Sequence, residues 1–288
     1  MAAEPDNNIS DDDAVVRVIG LVKRFEERAV LDGVSLGVYP GETMVVMGGS
    51  GCGKSTLLRH MIGSMWPDAG RVELFGEDLL GMTDERLDQT RKRFGILFQS
   101  GALFNSMTVG ENVALPLQEH TDLDADTIDI IVRIKLELVG LREAMDLMPA
   151  EISGGMKKRA GLARAIALDP EILFYDEPSA GLDPVTSAEI DQLIMDLSGK
   201  LGVTSVVVTH EMDSAFRIAD RMAMLDKGRM LKVAPRQEFE VIRDGPSTGD
   251  ETVDLIRQFL RGDSEGPITA RRLSGDYEQD ILGAAGGQ

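Results

Sequence analysis

A glycine-rich segment of the sequence carries the residue types that bind phosphate groups. Residues 48–55 read Gly-Gly-Ser-Gly-Cys-Gly-Lys-Ser and match the pattern G-x-x-x-x-G-K-[ST] of phosphate-binding loops. Glycines let the backbone turn so that successive N–H groups point at phosphate oxygens, and a following helix adds its positive N-terminal end. Lys54 supplies a cation for the β- and γ-phosphates, and the Ser55 hydroxyl is a magnesium ligand. The candidate nucleotide-binding residues are Gly48, Gly49, Ser50, Gly51, Cys52, Gly53, Lys54, Ser55 and Thr56.

Two adjacent carboxylates end an apolar run. Residues 172–177 read Ile-Leu-Phe-Tyr-Asp-Glu, and ligands gather at the carboxyl ends of strands in a parallel sheet. Asp176 is therefore placed to hold magnesium, and Glu177 can polarise a water for in-line attack on a γ-phosphate. The alternative interpretation is a solvated acidic pair at a strand end, which the neighbouring phosphate loop disfavours.

The single cysteine of the sequence, Cys52, lies inside the glycine-rich loop. With one cysteine no internal disulfide can form, which indicates a reducing compartment. Its place at a helix N-terminus and near Lys54 favours the thiolate form, and we expect bound nucleotide to shield it from alkylation. The alternative is a variable loop position with no chemical role.

Strands alternate with helices around these motifs. Such alternation predicts an α/β fold with a mainly parallel sheet covered on both faces. From about residue 108 to 168 the pattern is helical instead, as in an inserted helical block. We expect strands at residues 15–19, 34–38, 44–47, 71–75, 94–98, 172–175, 204–209 and 221–225, and helices at 54–65, 84–93, 154–167, 185–201, 212–219 and 253–260.

The charge balance excludes some classes of protein. Lys and Arg number 30 and Asp and Glu 49, for a net charge of −19. This sign argues against nucleic-acid binding and against direct docking on an anionic lipid surface. The N-terminus lacks the features of a signal peptide, and the apolar runs are far shorter than the ~18 residues of a spanning helix. We therefore expect a soluble cytosolic protein. If such a protein serves a membrane, it must do so through a partner.

Further motifs resemble those of the ABC-type ATPases. Residues 152–156, Ile-Ser-Gly-Gly-Met, resemble the LSGGQ signature and precede the Asp-Glu pair, as in that family. Gln99 matches the Q-loop glutamine, residues 179–183 the D-loop, His210 the switch histidine, and Phe25 the aromatic residue that stacks on adenine. The resemblance covers roughly residues 14–235, with six motifs in the order of the family.

This resemblance implies a fold and a chemistry. The fold is a P-loop NTPase core of the ABC type, with an antiparallel β portion near the N-terminus and an inserted helical subdomain at about 107–165. The reaction is ATP hydrolysis with Mg²⁺ in a head-to-tail sandwich with a second copy of the chain. Ser153, Gly154 and Gly155 would bind the nucleotide held by the other subunit. The implied catalytic residues are Glu177, His210, Lys54, Gln99 and Asp183, and the implied metal ligands are Ser55, Gln99 and Asp176.

One departure from the common signature indicates a subfamily. Met156 replaces the signature glutamine and precedes Lys157, Lys158 and Arg159. This pattern, with residues 105–117, resembles the ATPases of Mla and other MCE-type lipid transporters. It implies a peripheral subunit at the cytoplasmic face of the bacterial inner membrane that powers phospholipid transport. Nucleic acid is not among the implied partners. The implied partners are a permease, a small STAS-domain regulator and an MCE-type lipid-binding subunit. The alternatives are another importer-type ABC ATPase and a non-transport scaffold ATPase.

The two ends of the chain differ from the cassette between them. Residues 1–13 carry acidic side chains and no Lys or Arg, which predicts a disordered arm. Residues 14–235 form the predicted cassette, and residues 236–288 a C-terminal helix and docking tail. Apolar residues in the tail favour a clasp by residues 263–288 on the partner subunit, and the alternative is a frayed terminus.

An acidic stretch follows the Q-loop glutamine. From residue 94 to 132 there is no Lys or Arg. In the ABC architecture, which the motifs resemble, this stretch forms much of the face turned to the permease. We expect salt-sensitive docking of this face onto basic cytoplasmic loops of the permease. The acidic residues of the stretch are Glu111, Glu119, Asp122, Asp124, Asp126 and Asp129.

Overall fold

The computed structural model describes residues 13–26 and 28–270. The predicted acidic arm therefore lies outside the described residues except for its last position, and so does the tail beyond residue 270. None of the described helices combines the length and apolarity that crossing a membrane requires.

A four-stranded antiparallel sheet contains the N-terminal strands. Strands β1 (Val16–Phe25) and β2 (Arg28–Val38) pair antiparallel, and β4 (Ala69–Leu74) and β5 (Glu77–Asp78) complete the order β2-β1-β4-β5. Alternate residues such as Val16, Val18 and Val34 are buried, because successive side chains of a strand point to opposite faces. Both long strands extend beyond the short apolar runs that predicted them.

The larger sheet has six strands in the order β10-β9-β3-β8-β7-β6. They are β3 (Thr43–Met47), β6 (Phe94–Leu97), β7 (Ile172–Asp176), β8 (Thr204–Thr209), β9 (Arg221–Asp226) and β10 (Arg229–Pro235). The first five of these are mutually parallel, and β10 runs antiparallel to β9. Every residue of β3 and β8 is buried, as expected for the centre of a parallel sheet with both faces covered.

Strand β10 is absent from the sequence-based prediction. Most of its residues are only half-buried and it contains Arg229 and Lys232, so it shows no apolar run. The turn before β10 contains a sequence signal, which is Gly228. Lys227 and Gly228 both have positive φ, and glycine at such a position is typical of a tight hairpin.

Nine α-helices surround the two sheets in the described residues. They are α1 (Lys54–Met61), α2 (Asp84–Arg91), α3 (Val109–His120), α4 (Ala125–Leu138), α5 (Gly154–Ala165), α6 (Pro184–Leu201), α7 (Met212–Ile218), α8 (Arg236–Asp244) and α9 (Glu251–Arg261). Several begin at a side chain that accepts a backbone N–H of the first turn, a common way to start a helix. Two of these capping residues, Ser153 of α5 and Asp183 of α6, are also candidate site residues.

The parallel sheet separates two hydrophobic cores. Val45 and Met47 of β3 join the core that contains α3 to α7, whereas Met44 and Val46 join the core shared with α1 and the antiparallel sheet. The predicted α/β fold, with helices over both faces of a mainly parallel sheet and an antiparallel β portion, is confirmed.

The C-terminal helices share the first of these cores. Phe239 of α8 and Leu255, Ile256 and Leu260 of α9 are buried in it beside strand β9. The helix expected at residues 253–260 therefore forms and packs on α8, with its apolar residues in this core. The division of the chain at residues 13, 107, 165 and 235 stays a prediction.

Candidate functional site

The phosphate-loop residues connect the buried strand β3 to helix α1. Gly48 has φ +155°, and a Cβ atom there would overlap the carbonyl oxygen of Leu225. At Gly53, with φ +111°, a Cβ atom would lie 2.8 Å from the Val30 carbonyl oxygen. Both positions therefore require glycine, since backbone cannot yield as a flexible side chain can. The tight turn places the start of α1, with its free N–H groups, beside the end of β3.

Lys54 is fixed within this loop. Its side chain is largely buried, with the residue 7% exposed, and its ammonium donates hydrogen bonds to the carbonyl oxygens of Gly48 (2.7 Å) and Gly49 (3.1 Å). The loop thus holds a cation in place before any nucleotide is bound, which reduces the cost of ordering it on binding.

Ser55 and Asp176 meet beside the loop. The Ser55 hydroxyl donates to Asp176 Oδ1 at 3.3 Å, although the two residues come from α1 and from the end of β7. Burial raises the pKa of Asp176, while the Ser55 hydrogen bond opposes that rise. A hydroxyl and a carboxylate are oxygen ligands of the kind magnesium prefers, and a divalent cation would relieve the cost of the partly buried anion. The residues present therefore fit the ion.

Glu177 and His210 form a pair at the ends of adjacent strands. Glu177 follows β7, is 9% exposed, and places its Oε2 atom 2.8 Å from His210 Nδ1 and 3.3 Å from the His210 backbone nitrogen. His210 follows β8, which is the neighbour of β7 in the parallel sheet. Two side chains predicted to be catalytic are thereby brought together, because parallel strands end at the same edge.

One cleft of about 730 Å³ contains most of the predicted residues. It is lined by Phe25, Gly49, Ser50, Gly51, Gly53, Lys54, Ser55, Thr56, Gln99, Glu177 and His210. Phe25 is 46% exposed at the end of β1, so its ring is accessible for stacking on a base. Sequence analysis missed three further lining residues, Arg28 and Val30 of β2 and Phe259 of α9. None of them lies in a motif, and Phe259 has the spacing of an ordinary core position.

The signature and D-loop residues do not line this cleft. Ser153 caps α5 by accepting the Met156 N–H, and Asp183 caps α6 by accepting those of Val185 and Thr186. A Cβ atom at Gly155 would lie 2.5 Å from the Thr186 side chain, so the starts of the two helices are in contact. Ser153, Gly154 and Asp183 are exposed, whereas Gly155 is buried beneath them. None of the four lines the cleft that contains the phosphate loop.

The expectation that Cys52 favours the thiolate form is wrong. Burial raises its pKa, and the nearby Lys54 charge only opposes that effect. The Cys52 side chain, 6% exposed, lines a neighbouring cavity of about 460 Å³ with Met224, Leu255 and Ile268 rather than the 730 Å³ cleft. Desolvation disfavours the anion, and it outweighs here the helix N-terminus on which the prediction relied.

Comparison with known sequences agrees with this site. Residues 31–180 match the family described as ABC transporter. The chain is 44% identical over 256 residues to the intermembrane phospholipid transport system ATP-binding protein MlaF of Escherichia coli K12, covering 88% of this chain and 91% of that protein. It is 44% identical over 253 residues to the probable ribonucleotide transport ATP-binding protein mkl of Mycobacterium leprae, covering 88% of this chain and 70% of that protein.

Comparison with solved structures agrees as well. The ATP-binding cassette MJ0796, in a dimeric post-hydrolysis state with ADP and Pi, superposes with a TM-score of 0.71 at 30% identity, over 77% of this chain and 98% of that one. The cbiO1 protein of Clostridium perfringens, part of an ABC transporter complex, superposes with a TM-score of 0.73 at 28% identity, over 80% and 94%. With the phosphate loop, the Asp176–Glu177 pair and the signature helix in place, the chain belongs to the ABC transporter family as one of its ATP-binding, ATP-hydrolysing cassettes.

Proposed function

We propose that this protein powers a membrane transporter that moves phospholipids between bacterial membranes. The similarity to MlaF proteins, which extends over 91% of the Escherichia coli protein but only 70% of mkl, supports this choice over another importer-type ATPase or a scaffold ATPase. The observation that carries the catalytic part is the cleft in which Lys54, Ser55, Glu177 and His210 converge.

Within the cleft each side chain has a distinct task. Lys54 and the N–H groups of the loop bind the β- and γ-phosphates, and the Phe25 ring stacks on adenine. Ser55, Asp176 and Gln99 would hold Mg²⁺, which neutralises phosphate charge when bound. Glu177 accepts a hydrogen bond from the attacking water and orients it.

His210 complements Glu177 in this scheme. Its Nδ1 atom is hydrogen-bonded to Glu177, which orients the exposed imidazole toward the cleft that both residues line. We expect its other ring nitrogen to contact the γ-phosphate and to lose that contact after hydrolysis.

A second copy of the chain completes each site. Ser153, Gly154 and Asp183 are exposed outside this chain's own cleft. Ser153 begins a helix whose N-terminal N–H groups, including that of Gly155, suit an anion. In a head-to-tail dimer Ser153, Gly154 and Gly155 would contact the γ-phosphate held by the other subunit, and Asp183 would lie beside them at the seam. The dimeric state of the MJ0796 cassette supports this arrangement.

The permease would dock near Gln99. A groove of about 870 Å³ lies between α2, β6 and the C-terminal ends of α3 and α5, with Phe98, Pro116 and Arg164 in its lining. Phe98 directly precedes Gln99, which lines the nucleotide cleft. A permease segment bound in this groove would therefore contact the neighbour of a residue of the nucleotide site. A STAS-domain regulator and an MCE-type lipid-binding subunit would join the same complex, and the chain would sit peripherally at the cytoplasmic face of the inner membrane.

The substitution Glu177→Gln tests this function. It removes the carboxylate that activates water but keeps the shape of the side chain, so ATP binding should persist, turnover should fall by about a hundredfold or more, and a closed ATP-bound dimer should accumulate. Lys54→Ala should instead lose nucleotide binding.

The measurements are ATPase rates, size in solution with ATP, and ATP-dependent transfer of labelled phospholipid by the permease complex in proteoliposomes. Hydrolysis by Glu177→Gln at the wild-type rate would contradict the role of Glu177. A complex that hydrolyses ATP but transfers no phospholipid would contradict the proposal that phospholipid is the transported molecule.

A further inference from the structure

A buried lysine of helix α5 contacts the segment that carries Glu177. Lys158 is 5% exposed, and its ammonium donates a hydrogen bond of 3.0 Å to the backbone carbonyl oxygen of Glu177. The carboxylates of Glu211, Glu177 and Asp176 lie close enough to act on its charge. Nothing in the hydrolysis scheme above uses this side chain, and burying an ammonium group is costly unless it is well paired.

The residue that receives this hydrogen bond has an unusual backbone conformation. Glu177 has φ +50°, a left-handed conformation that non-glycine residues adopt only when their surroundings enforce it. Its N–H donates to the Val208 carbonyl at 2.9 Å, and its carbonyl accepts both the Lys158 ammonium and the Ala180 N–H, the latter at 3.2 Å. Hydrogen bonds on both sides of the residue thus maintain the turn that directs the carboxylate to His210.

Lys158 also connects this turn to the signature motif. It lies on the helix that Ser153 begins, about one and a half turns from that residue. The proposed dimer places Ser153 against the nucleotide of the partner. A shift of α5 would therefore be transmitted through a single buried hydrogen bond to the backbone of Glu177 in the chain's own cleft.

We propose that Lys158 is a positioning residue for hydrolysis: its hydrogen bond to the Glu177 carbonyl holds the Glu177 carboxylate in the orientation that activates water. This inference rests on the proposed role of Glu177. It differs from that role because Lys158 does not line the nucleotide cleft and acts through the backbone of another residue.

The first test compares variants of the full-length chain under the conditions in which the wild type hydrolyses ATP. Lys158→Met removes the donor but keeps the length of the side chain, so kcat should fall by about tenfold while KM and ATP affinity stay within about twofold. Lys158→Arg, which restores a charged donor, should recover most of the rate. If Lys158→Met does not fold, Lys158→Gln, which is polar but too short to reach, should show the same loss of kcat.

Lys135→Met is the matched control. Lys135 of α4 is buried to the same degree, 6% exposed. Its ammonium pairs with the carboxylate of Asp169 rather than with the segment that carries Glu177. It should keep nearly the wild-type kcat. A loss as large as that of Lys158→Met would show a general cost of removing a buried lysine and would overturn the proposal.

A double-mutant cycle with Glu177→Gln separates a positioning role from a structural one. If Lys158 acts through the Glu177 carboxylate, Lys158→Met should change the residual rate of Glu177→Gln by less than about twofold. A further tenfold loss in the double variant would overturn the proposal, as would an unchanged kcat in the single Lys158→Met variant while Glu177→Gln is inactive. Wild-type hydrolysis by Glu177→Gln would overturn the proposed function and this inference with it.

Discussion

At the scale of single residues, Asp176 illustrates a conflict between site chemistry and stability. Its carboxylate is partly buried beside Glu177. The hydrogen bond from the Ser55 hydroxyl offsets only part of the cost of burying this charge. Functional sites often hold such groups, which cost stability in the free protein and become favourable once a ligand is bound. The consequence is measurable without nucleotide or magnesium.

We expect Asp176→Asn to raise the free energy of unfolding of the nucleotide-free protein while abolishing ATPase activity. Because the folded-state pKa of Asp176 is raised, the folded protein binds this proton more tightly than the unfolded chain. Wild-type stability therefore falls as pH rises from about 3.9 through the raised pKa. The gain from Asn, about 1 kcal/mol, should be larger at pH 7.5 than near pH 4, close to the unfolded-state pKa, in denaturant titrations.

Asp196→Asn provides the control of opposite sign. The Asp196 pKa is lowered by hydrogen bonds from Lys200 and Gln192, so its ionised form stabilises the folded protein and its removal should lower stability at pH 7.5. A loss of stability on Asp176→Asn at pH 7.5 would contradict the account of Asp176.

At the scale of elements, helix α9 contributes to the nucleotide cleft although it follows the last motif by more than forty residues. Leu255, Ile256 and Leu260 anchor it in the core. Gln258 accepts the Ile268 N–H and donates to Thr269, which folds residues 263–270 back on the helix. The predicted clasp of residues 263–288 on a partner subunit thus begins from a segment packed on its own chain, and residues beyond 270 lie outside the described range.

Phe259→Ala should weaken ATP binding by about three- to tenfold, because Phe259 lines the cleft that also contains Phe25 and an aromatic wall against a bound base is worth about 1 kcal/mol. Isothermal titration of the folded variants measures the effect. Leu260→Ala is the control on the same helix: it removes a core side chain, so it should lower stability without changing affinity. Equal affinity losses in both variants would contradict a direct role for Phe259.

At the scale of the whole molecule, the tertiary structure divides the acidic stretch into two groups. Glu111 belongs to the capping box of α3, Asp124 caps α4, and Asp129 pairs with Arg133. Glu119, Asp122 and Asp126 are exposed and serve no cap or ion pair shown among the described residues. The charges of the second group are therefore the ones that no cap or ion pair shown within the described residues engages.

We expect binding of the chain to its permease to weaken by about tenfold between 50 and 500 mM salt, since exposed charges are screened at that ionic strength. Replacing Glu119, Asp122 and Asp126 together by Gln and Asn should weaken binding at low salt and flatten the salt dependence. The matched control replaces Glu137, Glu143 and Asp146 by Gln and Asn, acidic residues that lie beyond this stretch. Affinity that is independent of salt would contradict the docking hypothesis.

Much of the fold and of the site follows from local sequence. The phosphate loop is recognisable because its glycines satisfy a backbone geometry that other residues would obstruct, and α5 and α6 are predictable because Ser153 and Asp183 satisfy the first N–H groups. Strand and helix periods place β3, β7 and β8, and parallel strands must bring Glu177 and His210 to one edge. Each of these features depends on contacts within a few residues or on a periodic pattern.

The remaining features depend on contacts between distant parts of the chain. Packing decides that Phe259 reaches the cleft, that Lys158 contacts Glu177 and that Cys52 is desolvated. Residue type and spacing do not distinguish Phe259 from a phenylalanine of the core, Lys158 from a lysine of the surface, or Cys52 from a reactive cysteine. Long-range contacts arise when whole apolar faces are buried together. The sequence by itself determined which chemistry this protein carries, and only the tertiary structure decided which further side chains support it.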